Sequence, residues 1–267
     1  MTFSSGPTDR WAEGDAYEPY MGRWSRLMAG EFLKWLAPPP KLAWIDVGCG
    51  TGALSEAIAK NVRPRALVGI DQSEAYVGFA RRRLGANGIE FMPGSAEKLD
   101  AKDASFDAAV SGLVLNFVPR PTLAAAEMLR VTRDGGTVAA YVWDYAGKME
   151  LIRYFWDTAI ELDSSAAAAD EAKRFPLCLP GALRELFASA GLGSVEERAI
   201  EIDTVFRDFN DYWSPFLGGQ GPAPGYAMSL NEERRNKLRE RLEERLPIGA
   251  DGSIRLIARA WAVKGIR

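Results

Sequence analysis

Trp44-Ile45-Asp46-Val47-Gly48-Cys49-Gly50-Thr51-Gly52 is an apolar run that ends in three glycines at every second position. A short apolar run closed by glycine reads as a buried strand, and the glycines read as the turn that carries the chain into a helix. Glycine at alternate positions lets the backbone turn sharply and approach a ligand where any Cβ would collide. A nucleotide-like ligand is implied. The spacing narrows it, because a dinucleotide fingerprint needs G-x-G-x-x-G to set a pyrophosphate on a helix N-terminus. Here Ala53 stands at the third glycine's place and Gly52 comes one residue early.

Downstream of this turn, short apolar runs alternate with helical stretches. Strands are expected at residues 42–47, 66–71, 89–92, 106–111 and 137–143. Such alternation is the pattern of βαβ units in a mostly parallel sheet. Ser73 is the expected N-cap of the helix after the second strand, which stops near Gly85, and Pro121 opens a helix that runs to Val131. Upstream, residues 20–36 read as a helix from Trp24, Leu27, Met28, Phe32, Trp35 and Leu36, and Pro38 to Pro40 end it. Past Trp143, helices are expected at 149–162 and 181–190, a loop at 164–170, and two more strands at 194–204 and 254–264. The insertion between those strands holds a Gly/Pro loop at 218–225 and a helix from about Leu230 to Leu246, with Ser229 and Glu232 as its capping box.

Asp46, two residues before the first glycine, completes D-x-G-x-G-x-G, and the segment resembles the first motif of the class I S-adenosylmethionine-dependent methyltransferases. The resemblance extends strand by strand from Trp44 to Val142. Leu67-Val68-Gly69-Ile70-Asp71 ends in a carboxylate about twenty residues past the glycines, where it can accept hydrogen bonds from both ribose hydroxyls and repel a 2′-phosphate. Gly94-Ser95-Ala96-Glu97 stands where the family has G-D-A-E, so either Ser95 with the Ala96 backbone or Glu97 is left to hold adenine. Phe106 to Ser111 and the loop to Pro119 resemble the small-molecule branch related to the ubiquinone-biosynthesis, type 11 methyltransferases, in which the strand end, here Ser111, lies beside the methionine part of the cofactor. Arg130 to Gly136 resembles the turn into the fifth strand, with Asp134 in place of the usual proline.

The fold implied by the resemblance is Rossmann-like α/β: a mostly parallel seven-stranded sheet with helices on both faces, an antiparallel last strand and a helical lid. S-adenosyl-L-methionine is the implied cofactor, held by Asp46, Gly48, Cys49, Gly50, Thr51, Gly52, Asp71 and Gln72. Tyr20, Arg23 and Trp24 are assigned to its methionine end, Arg23 as a candidate partner for the carboxylate. Residues 1–40 are expected to form an N-terminal helical lid segment, and 41–267 the methyltransferase domain, with lid insertions at about 145–180 and 206–246.

In an open parallel sheet the ligand lies beyond the carboxyl ends of the strands, so added segments close over that edge. They carry Trp11, Trp24, Trp35, Tyr154, Phe155, Trp156, Tyr212, Trp213 and Phe216. These rings either fill the lid core or face an apolar or cationic acceptor. Methyl transfer is an in-line displacement, for which the protein aligns the reactants and excludes water. The chain has no histidine, so any base is a carboxylate, a tyrosine or a lysine; Asp144 and Tyr145 are best placed, with Asn116 to orient a polar group.

Composition bounds the alternatives. Net charge −3, from 33 basic and 36 acidic residues mixed along 267, offers no field for a polyanion, so nucleic acid is not an expected partner. The run from Glu232 to Arg245 alternates in sign like a solvated helix. Cys49 and Cys178 are far apart, which leaves no metal set. Residues 1–15 are polar and no run approaches the ~18 apolar residues of a membrane span, so no membrane association and a cytoplasmic setting are expected. A small-molecule substrate remains as the partner, and the N-terminal aromatics leave a homodimer open. The competing functions are a non-catalytic S-adenosylmethionine-binding module and a nicotinamide-dependent oxidoreductase, the latter disfavoured by Ala53.

Overall fold

The structure, a computed structural model, describes residues 18–219 and 221–267. Trp11 and the first seventeen residues of the expected lid segment lie outside the described residues, as does Gln220 in the Gly/Pro loop.

Seven strands form one sheet in the order β3-β2-β1-β4-β5-β7-β6. They are β1 (Ala43–Val47), β2 (Ala66–Asp71), β3 (Glu90–Pro93), β4 (Phe106–Gly112), β5 (Thr132–Trp143), β6 (Gly193–Phe206) and β7 (Ile254–Ile266). Pairing from β3 to β5 is parallel, and β7 runs antiparallel to both of its neighbours. All five residues of β1 are buried because helices cover both faces of the sheet there. Edge strand β6 alternates buried and exposed residues along its second half, as a strand wet on one face must.

The largest shift of a strand boundary from expectation is at β5. β5 begins at Thr132 rather than 137, because Thr132 already pairs with Phe106 before a register shift brings Thr137 opposite Ala108. The irregularity absorbs the turn-like Asp134-Gly135-Gly136 inside the strand. A Cβ on Gly136 would lie 2.7 Å from the Arg133 carbonyl oxygen and 2.8 Å from that of Asp107.

The helices are α1 (Arg23–Leu36), α2 (Ala53–Asn61), α3 (Glu74–Leu84), α4 (Pro121–Val131), α5 (Glu150–Leu162), α6 (Glu171–Arg174), α7 (Ala182–Ser189), α8 (Phe209–Trp213), α9 (Pro222–Ser229) and α10 (Glu232–Arg245). The Ser73 hydroxyl accepts the Tyr76 N–H at 3.3 Å and caps α3. A capping box at Ser229 does not form. Ser229 ends α9 and donates back to the Tyr226 carbonyl at 2.7 Å, Leu230 is extended, and the Asn231 side chain accepts the Arg234 N–H at 2.9 Å to start α10. The segment expected as a loop at 164–170 holds a 3₁₀ turn, Ser164–Ala168, capped by Asp163. Along α10 only Leu238 and Leu242 are buried. Its charges pair along the helix, as in Lys237–Glu233, and reach across to Glu161.

One π-helical turn, Glu18–Gly22, leads into α1. Met28, Ala29 and Phe32 of α1 are fully buried, and the Phe32 ring lies 4.6 Å from that of Tyr141 on β5. Most of the later aromatics pack on one another: Phe155 stacks on Phe216 at 4.6 Å, Tyr20 meets Phe216 edge-on at 5.5 Å, and Tyr212 donates its hydroxyl to the Leu151 carbonyl at 3.0 Å. Among the described residues no helix is long and apolar enough to cross a membrane.

Candidate functional site

The carboxyl ends of β2, β1, β4 and β5 open into one cavity of about 960 Å³ including its mouth. Its base is the turn after β1. The N–H groups of Gly48 and Cys49 both donate to the Ile70 carbonyl, at 2.7 and 2.9 Å, and lock the turn against β2. Gly48 and Gly50 have φ of +78° and +52°, the left-handed region that disfavours side chains. A Cβ on Gly48 would lie 2.4 Å from Val114 Cγ1, whereas one on Gly50 would meet no protein atom within 4 Å. The room beside Gly50 therefore belongs to the open cavity.

Two carboxylates end the adjacent strands. Asp71 accepts the Gly50 N–H on Oδ2 at 2.9 Å and the Ser73 N–H on Oδ1 at 2.8 Å. Burial raises its pKa, and those two N–H groups work against the rise. Asp46 is fully buried; its Oδ2 accepts the Ser55 hydroxyl at 2.7 Å, while Oδ1 has no hydrogen-bond partner. Burial pushes its pKa up to about 7, helped by the charge of Asp71 and opposed by the hydrogen bonds of Ser55. Burial, with both carboxylates nearby, likewise raises the Cys49 thiol, which stays protonated. A buried carboxylate oxygen without a donor is costly, and a cationic or N–H-bearing ligand would relieve that cost.

Apolar side chains build the β4–β5 side. Tyr141, Trp143 and Tyr145 line the cavity at alternate positions, joined by Leu113 and Phe117 from the loop after β4, by Met21 of the π turn before α1 and by Ser25 of α1. Leu113 takes a φ of +63° and donates its N–H to the Tyr141 carbonyl at 2.7 Å, a strained non-glycine conformation held at the cavity wall. A second, adjoining cavity shares Gly48, Asp71 and Gln72 and adds Ser95, Ala96, Glu97 and Pro119. There the Ser95 hydroxyl accepts the Glu97 N–H at 3.2 Å. The Glu97 carboxylate takes the Arg120 backbone N–H at 2.9 Å and its guanidinium at 3.0 Å, and this pairing lowers its pKa.

The residues singled out in the sequence divide accordingly. Asp46, Gly48, Cys49, Gly50, Thr51, Asp71, Gln72 and Tyr145 line the main cavity, and Ser95, Ala96 and Glu97 the adjoining one. Gly52 instead heads α2, and a Cβ there would lie 2.6 Å from Leu84 Cδ1. Ser111 is fully buried and gives its hydroxyl to the Val47 carbonyl at 2.7 Å. Asn116 sits in the 3₁₀ turn Leu115–Phe117, off the cavity, with a buried amide nitrogen that has no partner. Asp144 faces away: its carboxylate accepts the Gly147 and Lys148 N–H groups at 2.9 and 3.1 Å and has Arg259 at 3.5 Å. Strand alternation explains it, because the period of two that points residues 141, 143 and 145 inward turns 144 outward.

The first helix shows the same phase error. Arg23 pairs with Asp211 at 3.0 Å and lies over the Trp24 and Phe206 rings, Trp24 packs on Phe206, and Tyr20 packs on Phe216. Met21 and Ser25, one turn apart, face the cavity instead. The π turn at Glu18–Gly22 rotates the side chains of α1 relative to a uniform α-helix, and apolar spacing does not reveal such a turn. Among the cavity rings the sequence reading missed, Tyr141 and Trp143 could have been found from their alternation with Tyr145.

Residues 45–140 match the methyltransferase domain family. Over 92 residues the chain is 35% identical to the fatty-acid O-methyltransferase of Mycolicibacterium smegmatis, a match covering 34% of each protein. Over 118 residues it is 32% identical to the ubiquinone/menaquinone biosynthesis C-methyltransferase of Bartonella bacilliformis, covering 42% of this chain and 45% of that one. The chain thus spans less than half the length of either relative. In fold it resembles the phosphoethanolamine N-methyltransferase 2 of Haemonchus contortus in complex with S-adenosyl-L-methionine, with TM-score 0.59 and 14% identity over 95% of this chain and 56% of that one. It also resembles the [4+2]-cyclase SpnF, with TM-score 0.53 and 20% identity over 91% of this chain and 80% of that one.

Proposed function

We propose that this chain, whose core is a class I S-adenosylmethionine-dependent methyltransferase domain, transfers the cofactor's methyl group to a small-molecule acceptor held at the apolar end of the cavity. The observation that carries this reading is the pair of buried carboxylates around the glycine turn, Asp46 with a partnerless oxygen and Asp71 tied to the turn's own N–H. The residues fit the group.

Asp46 Oδ1 would accept from a cationic donor, which favours the ionised form that burial suppresses. Each oxygen of Asp71 already takes one backbone N–H and keeps a lone pair for a sugar hydroxyl. Ser95 and the Ala96 backbone suit the adenine edge, since the charge of Glu97 is engaged by Arg120. When bound, S-adenosylmethionine supplies a methyl group on a sulfonium, an electrophile open to in-line displacement.

Met21, Leu113, Phe117, Trp143 and Tyr145 would hold an acceptor with an apolar body and keep water from it. Of the two proton-handling candidates after β5, Tyr145 stands at the cavity while Asp144 is engaged elsewhere. On this reading the described part of the N-terminal segment, residues 18–40, and the insertions at about 145–180 and 206–246 form the lid over the acceptor end.

Calorimetry with S-adenosylhomocysteine and NAD side by side tests the cofactor. Saturable heat with the first and none with the second is expected; heat with NAD alone would reverse the choice. Turnover is tested by incubating protein, S-adenosylmethionine and a pool of uncharged small metabolites and measuring S-adenosylhomocysteine release. Binding without release would leave a non-catalytic module.

A further inference from the structure

Glycine at position 22 is not required by the backbone, which is helical there at φ −57° and ψ −40°, where glycine costs about 1 kcal/mol against alanine. Its lack of a side chain has another use. A Cβ at Gly22 would lie 2.7 Å from Glu18 Cδ and Oε2 and 2.8 Å from Oε1, so the glycine makes the seat for that carboxylate. Seated there, Glu18 Oε1 accepts the Thr51 hydroxyl at 2.8 Å and Oε2 pairs with Arg26. Arg83 of α3 stands 4.0 Å from Glu18, donates to the Thr51 carbonyl at 3.5 Å and pairs with Glu56 of α2.

Thr51 lies between Gly50 and Gly52 in the turn that lines the cavity, and Met21 lines the opposite side beside Gly22. We propose that Glu18 is a positioning residue, a clamp that fastens the start of α1 to the glycine turn and so sets the cofactor cradle and the acceptor wall together. The proposal rests on the cofactor reading above. The carboxylate is preferred to a neutral acceptor because a charged acceptor strengthens the hydrogen bond to Thr51 and holds two guanidinium groups at once.

The test is calorimetric titration of S-adenosylhomocysteine into the full chain and into Glu18→Ala, Glu18→Gln, Gly22→Ala and the Glu18→Ala/Gly22→Ala double variant, with melting temperatures alongside. Glu18→Ala is expected to weaken binding about tenfold, ~1.4 kcal/mol. Gly22→Ala adds a better helix former, so it leaves melting unchanged or raises it, yet weakens binding by a similar factor by displacing the carboxylate. In the Glu18→Ala background, Gly22→Ala should cost nothing further. Glu18→Gln keeps an acceptor for Thr51 and recovers part of the loss. Gly22→Ala binding as tightly as the wild type, or causing the same loss with and without Glu18, overturns the clamp. A wild type that gives no heat with S-adenosylhomocysteine overturns the cofactor reading, and the clamp with it.

Discussion

The two sides of the cavity are built by different physics. The β1–β2 side, residues 46–73, belongs to a single βαβ unit and works through backbone: three left-handed glycines, N–H groups aimed at Asp71, and two buried carboxylates. The β4–β5 side works through side-chain volume, with Met21, Leu113, Phe117, Trp143 and Tyr145 arriving from three separate stretches of chain. One side fixes where atoms sit and the other fixes what shape fits. Changes to the first should therefore alter cofactor affinity, and changes to the second acceptor choice.

The largest effect is expected at Asp71. Asp71→Ala removes the acceptor of the Gly50 and Ser73 N–H groups along with the partner proposed for the sugar, and S-adenosylhomocysteine affinity should fall by roughly 100-fold or more, as for lost hydrogen bonds to a charged group. Calorimetry reads it directly. If Asp71→Ala binds normally while Trp143→Phe does not, the two sides have been assigned the wrong way round.

Gly50→Ala sharpens the contrast within the first side. Its Cβ meets no protein atom, so the fold bears only the left-handed backbone penalty of about 1–2 kcal/mol. The new methyl group nonetheless occupies cavity space proposed for the ligand, and affinity should drop about tenfold, comparable to a modest steric mismatch. Gly48→Ala differs, because its Cβ would press on Val114 and lower melting as well. Thermal melts of the two variants separate backbone strain from lost space.

On the second side, Trp143→Phe should raise the acceptor's KM about fivefold while leaving S-adenosylhomocysteine affinity within about twofold, the scale of a trimmed apolar contact. Steady-state kinetics on any acceptor found by turnover screening checks it. A parallel loss of cofactor affinity would show that Trp143, buried at the end of β5, supports the cradle too.

The same contrast explains what could be read from the chain before its structure. The glycine turn, Asp71, Ser73 and the seven strands were legible because their signals are local: a glycine at a left-handed turn, a cap three residues from its N–H, an apolar run between breakers. The β4–β5 side was not. Whether Asp144 or Trp143 faces inward depends on the phase of β5 relative to the sheet, and one residue's shift reverses it. Arg23 is a plausible carboxylate partner by type, yet Asp211, 188 positions away, takes it. A π turn before α1 leaves no mark in apolar spacing, and Asn231 rather than Ser229 starts α10 because Leu230 is extended.

The smallest expected effect is a pH dependence that isolates Asp46. Its pKa of about 7 in the folded, ligand-free protein lies above the ordinary value of 3.8, so the folded state holds this proton more tightly than the unfolded one. The stability Asp46 contributes is therefore fully present below about pH 4 and is lost as pH rises through 7. A ligand that donates to Oδ1 prefers the ionised form, which reverses the trend for binding: affinity should weaken about fourfold from pH 8 to pH 6.5 as Asp46 takes up its proton. Glu171, lifted by burial to about 8 while it accepts the Trp156 indole N–H, titrates in the same range and also lowers stability as pH rises. It does not line the cavity, so its share is the same with and without ligand. The ligand-induced rise in melting temperature, free subtracted from bound, should thus grow between pH 6 and pH 8 in the wild type and stay flat in Asp46→Asn. A flat wild-type difference would mean that the partnerless oxygen at the base of the polar side is not where the ligand's positive end rests.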